Sequence, residues 1–302
     1  MNPTHPLHDL VAATHTPFHA DGSLNLAAVE MQCAHLLKND VTFAFIGGTT
    51  GESASLSLDE RLALTERWTA VAKGSAMRVV VHVGSNCISD SCALAAQAER
   101  CGAVAISALA PSYFKPRSLD LLIACCAEIA AAAPSTPFYY YDIPALTGVS
   151  MSMPEFLGKA PARIPTLVGL KFTNPDLMAY LQCLNVGEFD IPWGIDEWML
   201  GALATGAQGA VGSSFNFAAR IYHNVMASFE NCEIENARLY QHRSTQLIST
   251  LARYGYMGAA KATMSMLGVD VGPARLPNAS LSAEQVIALR SELEMLGFFD
   301  WV

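Results

Sequence analysis

Lys171 lies in the run Val168-Gly169-Leu170-Lys171-Phe172-Thr173. The run is short and apolar, which predicts a buried β-strand. Lysine is almost never fully buried without a partner or a task. Side chains alternate along a strand, so Val168, Leu170 and Phe172 are expected on one face, and Gly169, Lys171 and Thr173 on the other. Loss of hydration disfavours the ammonium form. An uncharged lysine amine can attack a ketone and form a Schiff base. Taken alone, the same lysine could instead end a strand, paired with a carboxylate or reaching out to water.

Other stretches carry complementary chemistry. Gly48-Thr49-Thr50-Gly51-Glu52 follows an apolar run and offers backbone N–H groups and two hydroxyls, which suit a carboxylate or phosphate; an ordinary Gly/Thr turn reads the same way. In Phe138-Tyr139-Tyr140-Tyr141-Asp142, Tyr139 and Tyr141 share one face, and Tyr141 could bring a phenol near Lys171 or serve as a core tyrosine. Asp196 and Glu197 follow Gly194-Ile195 and could bind hydroxyls or cap a helix. Ser213-Ser214 ends another apolar run, where small residues often only pack. The eight histidines show no HExxH motif for a metal, and His82 reads as a satisfied core histidine. There is no GxSxG elbow and no GxxxxGK[ST] phosphate loop, so no motif demands a cofactor.

The elements that must position these residues alternate. Strands are expected over residues 9–16, 41–46, 78–84, 103–110, 138–143, 167–173, 191–195 and 209–213, each followed by a helical pattern. Ser57 with Glu60, and Ser152 with Glu155, are spaced as capping boxes, and Pro175 stands near the first turn of a helix. Eight strand–helix units in succession predict an α/β fold, a closed (β/α)₈ TIM barrel, whose active site forms at the C-terminal strand ends. The competing open doubly wound sheet lacks a GxGxxG at its first helix. Residues 1–225 are assigned to the barrel, and 226–302 to a C-terminal extension of three helices that joins it in one structural unit.

Composition narrows the partners. The chain has 302 residues, 52% of them hydrophobic, enough for one large domain or two medium ones, and a barrel-like α/β fold is the kind that keeps this length in one. With 27 acidic and 18 basic side chains the net charge is −9, which argues against nucleic acid and anionic membrane surfaces but not against an anionic small molecule. None of the eight cysteines forms a CxxC pair, and all are read as thiols, mostly in the core. Residues Met1 to Leu10 lack a basic and an apolar leader region, and no apolar run reaches membrane-spanning length, so a soluble, cytoplasmic protein is expected.

Three ordered motifs, Gly48-Thr49-Thr50-Gly51-Glu52, Tyr141-Asp142-Ile143-Pro144-Ala145-Leu146-Thr147-Gly148 and Gly169-Leu170-Lys171-Phe172-Thr173, resemble those of the N-acetylneuraminate lyase / dihydrodipicolinate synthase family of class I aldolases. The likeness runs from about Leu10 into the C-terminal helices. It implies a barrel that assembles as a homotetramer, a covalent imine between Lys171 and a pyruvyl keto carbon in place of any cofactor, and Tyr141 as the proton shuttle. Thr49 and Thr50 would hold the pyruvyl carboxylate. Synthase members place an arginine where this chain has Leu146, which resembles the members that cleave the sugar acid. By the same resemblance Gly194, Asp196, Glu197, Ser213 and Thr173 would bind sugar hydroxyls; acidic acceptors suit a polyol. Asp142 stands where the family often has asparagine or histidine, and Pro111-Ser112-Tyr113-Phe114 departs from the commoner aromatic pair.

The resemblance implies reversible cleavage of N-acetylneuraminate to pyruvate and N-acetylmannosamine. Two competing readings are an aldolase or dehydratase acting on a 2-keto-3-deoxy sugar acid, and a non-catalytic barrel that only binds a sugar acid. Leu146 argues against a synthase but not against the first. The joint presence of Lys171, Tyr141 and the threonine pair argues against the second.

Overall fold

Among the described residues seven parallel strands make one sheet: β1 (Asp9–Ala13), β2 (Phe43–Ile46), β3 (Arg78–His82), β4 (Ala105–Leu109), β5 (Phe138–Asp142), β6 (Leu167–Phe172) and β7 (Gly209–Gly212). Their order in the sheet is β6-β5-β4-β3-β2-β1-β7. This is a computed structural model, and it describes residues 6–302. Residues 1–5, part of the stretch read for a leader, lie outside the described residues.

The expected seventh strand, residues 191–195, does not form as a strand. Residues 190–193 still close the barrel between β6 and β7 through isolated parallel bridges. The Asp190 N–H donates to the Val168 carbonyl (2.9 Å) and the Gly194 N–H to that of Phe172 (2.8 Å). Pro192 falls between them and has no N–H to offer, so the ladder is interrupted. On the other side Trp193 donates to Gly209 O (2.9 Å) and Val211 donates to Trp193 O (2.7 Å). The architecture is a (β/α)₈ barrel whose seventh position is this bridging segment. The strand expected last in sequence is therefore β7.

The alternation of faces is obeyed with one correction. Tyr139 and Tyr141 join Val11, Phe45, Val80 and Val211 inside the barrel, while Phe138, Tyr140, Leu170 and Phe172 pack outward against the helices. Val168 was expected with Leu170, yet it lies inside. The reason is a register shift, in which Phe138 pairs with Leu167 but Tyr139 pairs with Gly169. A bulge of this kind adds one residue and flips the pattern before it. Gly169 permits it: a Cβ there would fall 1.7 Å from Asp190 O. Beyond the bulge Lys171 faces inward, as expected.

The helix Leu58–Ala72 carries the full capping box of Ser57 and Glu60. Ser152 accepts from the Glu155 N–H, but Glu155 does not return the bond and reaches Lys159 instead (3.5 Å). Pro175 lies outside its helix, which begins at Leu177 with the Asp176 carboxylate accepting from the Ala179 N–H. After the barrel come the helices Ile234–Arg253, Tyr256–Met266 and Ala283–Leu296, then one further turn, Phe298–Trp301. Leu251, Met264, Leu289 and Phe298 from these helices share a continuous core with the barrel's own helices. All eight cysteines are free, but only Cys33, Cys126 and Cys183 are buried, so most are not core residues. No helix among the described residues is long and apolar enough to cross a membrane.

Candidate active site

Lys171 is 4% exposed, at the C-terminal end of β6. Its Nζ sits 4.1 Å from the ring centre of Tyr141 and 4.3 Å from that of Phe45, between two aromatic faces. No ion pair to Lys171 exists among the described residues, so the alternative of a lysine paired with a carboxylate does not hold. Tyr141 and Lys171 are register partners on adjacent strands. The Tyr141 hydroxyl lies 3.4 Å from Thr49 Oγ1, which places the β2 loop over the same point. Thr50 follows in that turn, half-buried. An amine, a phenol and a hydroxyl thus converge at one end of the barrel interior.

The β2 loop is anchored from outside the barrel. Glu52 adopts a left-handed backbone conformation (φ 53°) and is buried. One of its carboxylate oxygens lies 2.7 Å from Lys261 Nζ. The other accepts from the backbone N–H of Arg275 (2.8 Å) and from Asn278 Nδ2 (3.2 Å). Lys261 also donates to the carbonyls of Thr16 (2.9 Å) and Pro273 (2.8 Å). Arg275 grips Glu60 with two nitrogens at 2.8 Å each. The C-terminal helices therefore hold the loop that presents Thr49 and Thr50. Lysine within the apolar stretch Ala259-Ala260-Lys261-Ala262 was the one sequence signal of this contact.

A second group lies across the barrel mouth. Gly194 is pressed against Thr173, since a Cβ at 194 would fall 1.9 Å from Thr173 Oγ1. That hydroxyl is buried and has no hydrogen-bond partner among the described residues. Asp196 is buried, and its Oδ2 accepts from the backbone N–H (2.8 Å) and hydroxyl (2.5 Å) of Ser214. Burial pushes the Asp196 carboxyl upward from its usual range, opposed by the Ser214 bonds and by the positive charge of Lys171. Burial, with the neighbouring Asp196 charge, also raises Glu197. Ser214 Oγ also lies 2.5 Å from Tyr222 OH, and Tyr222 contacts Ser244 Oγ (2.8 Å). Ser213 Oγ lies 2.6 Å from Tyr256 OH. Asn216 donates to the carbonyls of Ala13 (2.6 Å) and Ser213 (2.8 Å), which ties this loop to β1.

Phe45, His82, Tyr222 and Tyr256 were not singled out for the site. Phe45 was legible in the inward alternation of β2, whereas Tyr256 had no local signal. A cavity of about 500 Å³ opens beside Thr49, lined by Arg61, Asn86, Leu146 and Met257 among others. Lys171 is not part of its wall; the convergence of side chains, and not the cavity, marks the candidate site.

The dihydrodipicolinate synthetase family model matches residues 6–296. N-acetylneuraminate lyase A of Xenopus laevis is 43% identical over 275 residues, covering 90% of each chain. N-acetylneuraminate lyase of Gallus gallus is 39% identical over 302 residues, 98% of each. Among solved structures, that of Proteus mirabilis N-acetylneuraminate lyase superposes with a TM-score of 0.94 at 37% identity, covering 97% of this chain and all of that one. A match of this extent, on a barrel that gathers lysine, tyrosine and threonine at one mouth, makes the chain a member of the dihydrodipicolinate synthetase family.

Proposed function

We propose that this protein is a Schiff-base aldolase that cleaves N-acetylneuraminate reversibly to pyruvate and N-acetylmannosamine. The carrying observation is the buried Lys171 amine held between Phe45 and Tyr141, with the Tyr141 phenol in reach of Thr49. The relatives named as N-acetylneuraminate lyases support the choice of substrate.

Thr49 and Thr50 take the carboxylate of the open-chain sugar acid. The Lys171 amine, in its free-base form, attacks the C2 keto carbon; the resulting carbinolamine hydroxyl takes the Tyr141 phenol proton and leaves as water, giving a protonated imine that withdraws electrons and a Tyr141 phenolate. The Tyr141 phenolate accepts the C4 hydroxyl proton, the C3–C4 bond breaks, and its electrons pass into the imine as an enamine. N-acetylmannosamine departs. The enamine is protonated at C3, and hydrolysis frees pyruvate and the lysine. Acid–base help of this kind contributes roughly 10² to 10⁴-fold. Asp196, Glu197, Ser213, Thr173 and the Gly194 backbone serve the hydroxylated end. No cofactor enters these steps. The assembly is a homotetramer in the cytoplasm, with residues 1–225 and 226–302 acting as one unit.

Borohydride reduction in the presence of pyruvate tests the chemistry. A stable adduct on Lys171 is expected, lost in Lys171→Ala and retained in Tyr141→Phe, whose turnover falls. An adduct elsewhere, or none, overturns the mechanism. Faster cleavage of a 2-keto-3-deoxy gluconate than of sialic acid would instead overturn the substrate.

A further inference from the structure

His82 ends β3 on the inner face of the barrel and is 1% exposed. The mechanism above gives it no part, and it is not a satisfied core histidine. Its Nδ1 lies 2.9 Å from the Gly47 carbonyl oxygen. A carbonyl only accepts, so Nδ1 carries the proton. Arg61 then cannot donate to Nδ1; its guanidinium donates to the carbonyls of His82 (2.7 Å) and Gly84 (2.9 Å). The other ring nitrogen, Nε2, is buried without a partner among the described residues. Burial, together with the charges of Arg61 and Lys171, keeps the ring uncharged. A buried nitrogen left without a bond is costly, so the ring is kept in place for something else.

Its contacts show what that is. The ring meets Tyr141 edge to face, with centroids 5.9 Å apart and planes at 89°, and it lies 6.1 Å from Phe45. These are the two rings that flank Lys171 Nζ. Gly47, whose carbonyl His82 holds, immediately precedes Gly48-Thr49-Thr50. One imidazole therefore touches both halves of the pyruvyl site, the aromatic walls by its edge and the threonine loop by its N–H.

We propose that His82 is a positioning residue for the pyruvyl group: its Nδ1–H fixes the Gly47 carbonyl and so sets Thr49 and Thr50 for the substrate carboxylate. The inference rests on the pyruvate-aldolase reading. It assigns the N–H, and not ring volume, as the feature that matters. Asparagine can place an amide N–H where Nδ1 stands, whereas phenylalanine keeps the ring and loses the donor.

The test is borohydride trapping on Lys171 against pyruvate concentration, with kcat and KM for cleavage, in wild type, His82→Asn and His82→Phe. Losing one buried hydrogen bond corresponds to about tenfold. Half-maximal trapping is therefore expected to need about tenfold more pyruvate in His82→Phe, and within about threefold of the wild-type level in His82→Asn. KM should move more than kcat. Equal losses in both variants, or wild-type trapping in His82→Phe, would overturn the assignment. Failure of wild type itself to trap pyruvate would overturn the aldolase reading instead. Should His82→Phe not fold, ¹⁵N chemical shifts of the wild-type ring decide: Nδ1–H from pH 5 to 8 is expected, and an Nε2–H tautomer overturns the inference.

Discussion

Tyr256, at the start of a C-terminal helix, places its phenol 2.6 Å from the hydroxyl of Ser213 at the end of β7. Burial raises the phenol well above its ordinary range, and the nearby Asp196 charge adds to that. It therefore stays protonated and can orient Ser213 as either donor or acceptor. Residues beyond the barrel thus reach the side of the mouth proposed to bind the sugar hydroxyls. Tyr256→Phe is expected to lower kcat/KM for N-acetylneuraminate about tenfold, the worth of one buried hydrogen bond. Pyruvate trapping on Lys171 should be unchanged. Steady-state kinetics beside borohydride trapping checks this, and equal loss in both would refute a role confined to the sugar end.

Lys261 and Glu52 form an ion pair with side chains 2% and 0% exposed. Burial lowers the Lys261 pKa, and Glu52 opposes that shift. Lys261→Met would leave the buried Glu52 carboxylate without its ion-pair partner, at about 3–5 kcal/mol. The double variant Lys261→Met/Glu52→Gln should be more stable than Lys261→Met, because no uncompensated charge remains. Denaturant midpoints of the three proteins measure the order.

Asp142 is 1% exposed, and burial pushes its carboxyl up to about 6, with only a 3.4 Å contact from Asn174 in opposition. The folded value is raised above the unfolded value of about 3.9, so the fold favours the protonated form. That contribution is fully present below about pH 4 and is lost as pH rises through 6. Asp142→Asn removes the titration. It should leave stability at pH 4 nearly unchanged and raise it at pH 7.5 by up to about 3 kcal/mol. Thermal unfolding at the two pH values tests the sign.

Gly194→Ala would drive a methyl to 1.9 Å from Thr173 Oγ1 and 2.8 Å from its Cβ. Overpacking of this kind costs about 1–3 kcal/mol. Adding Thr173→Ala should recover part of the loss, since it removes the nearer atom. A double-mutant cycle in melting temperature reads the coupling, and strict additivity would disprove it.

The chain's own residues determined a good deal. Strand–helix alternation specified the barrel, because eight short apolar runs separated by helical periods can satisfy their backbones in few other ways. Alternation within strands put Tyr141 and Lys171 inside, since side-chain direction has a period of two. What the sequence could not hold was long-range pairing. The bulge at Gly169 depends on how closely Asp190 approaches, and Pro192 breaks a ladder that exists only once β6 lies beside it. Glu52 meets Lys261, Ser213 meets Tyr256, and His82 meets Gly47 across gaps set by helix and strand packing, and no local period encodes such partners. Lys171 alone offered an amine; the closed barrel decided which phenol, hydroxyls and aromatic walls surround it.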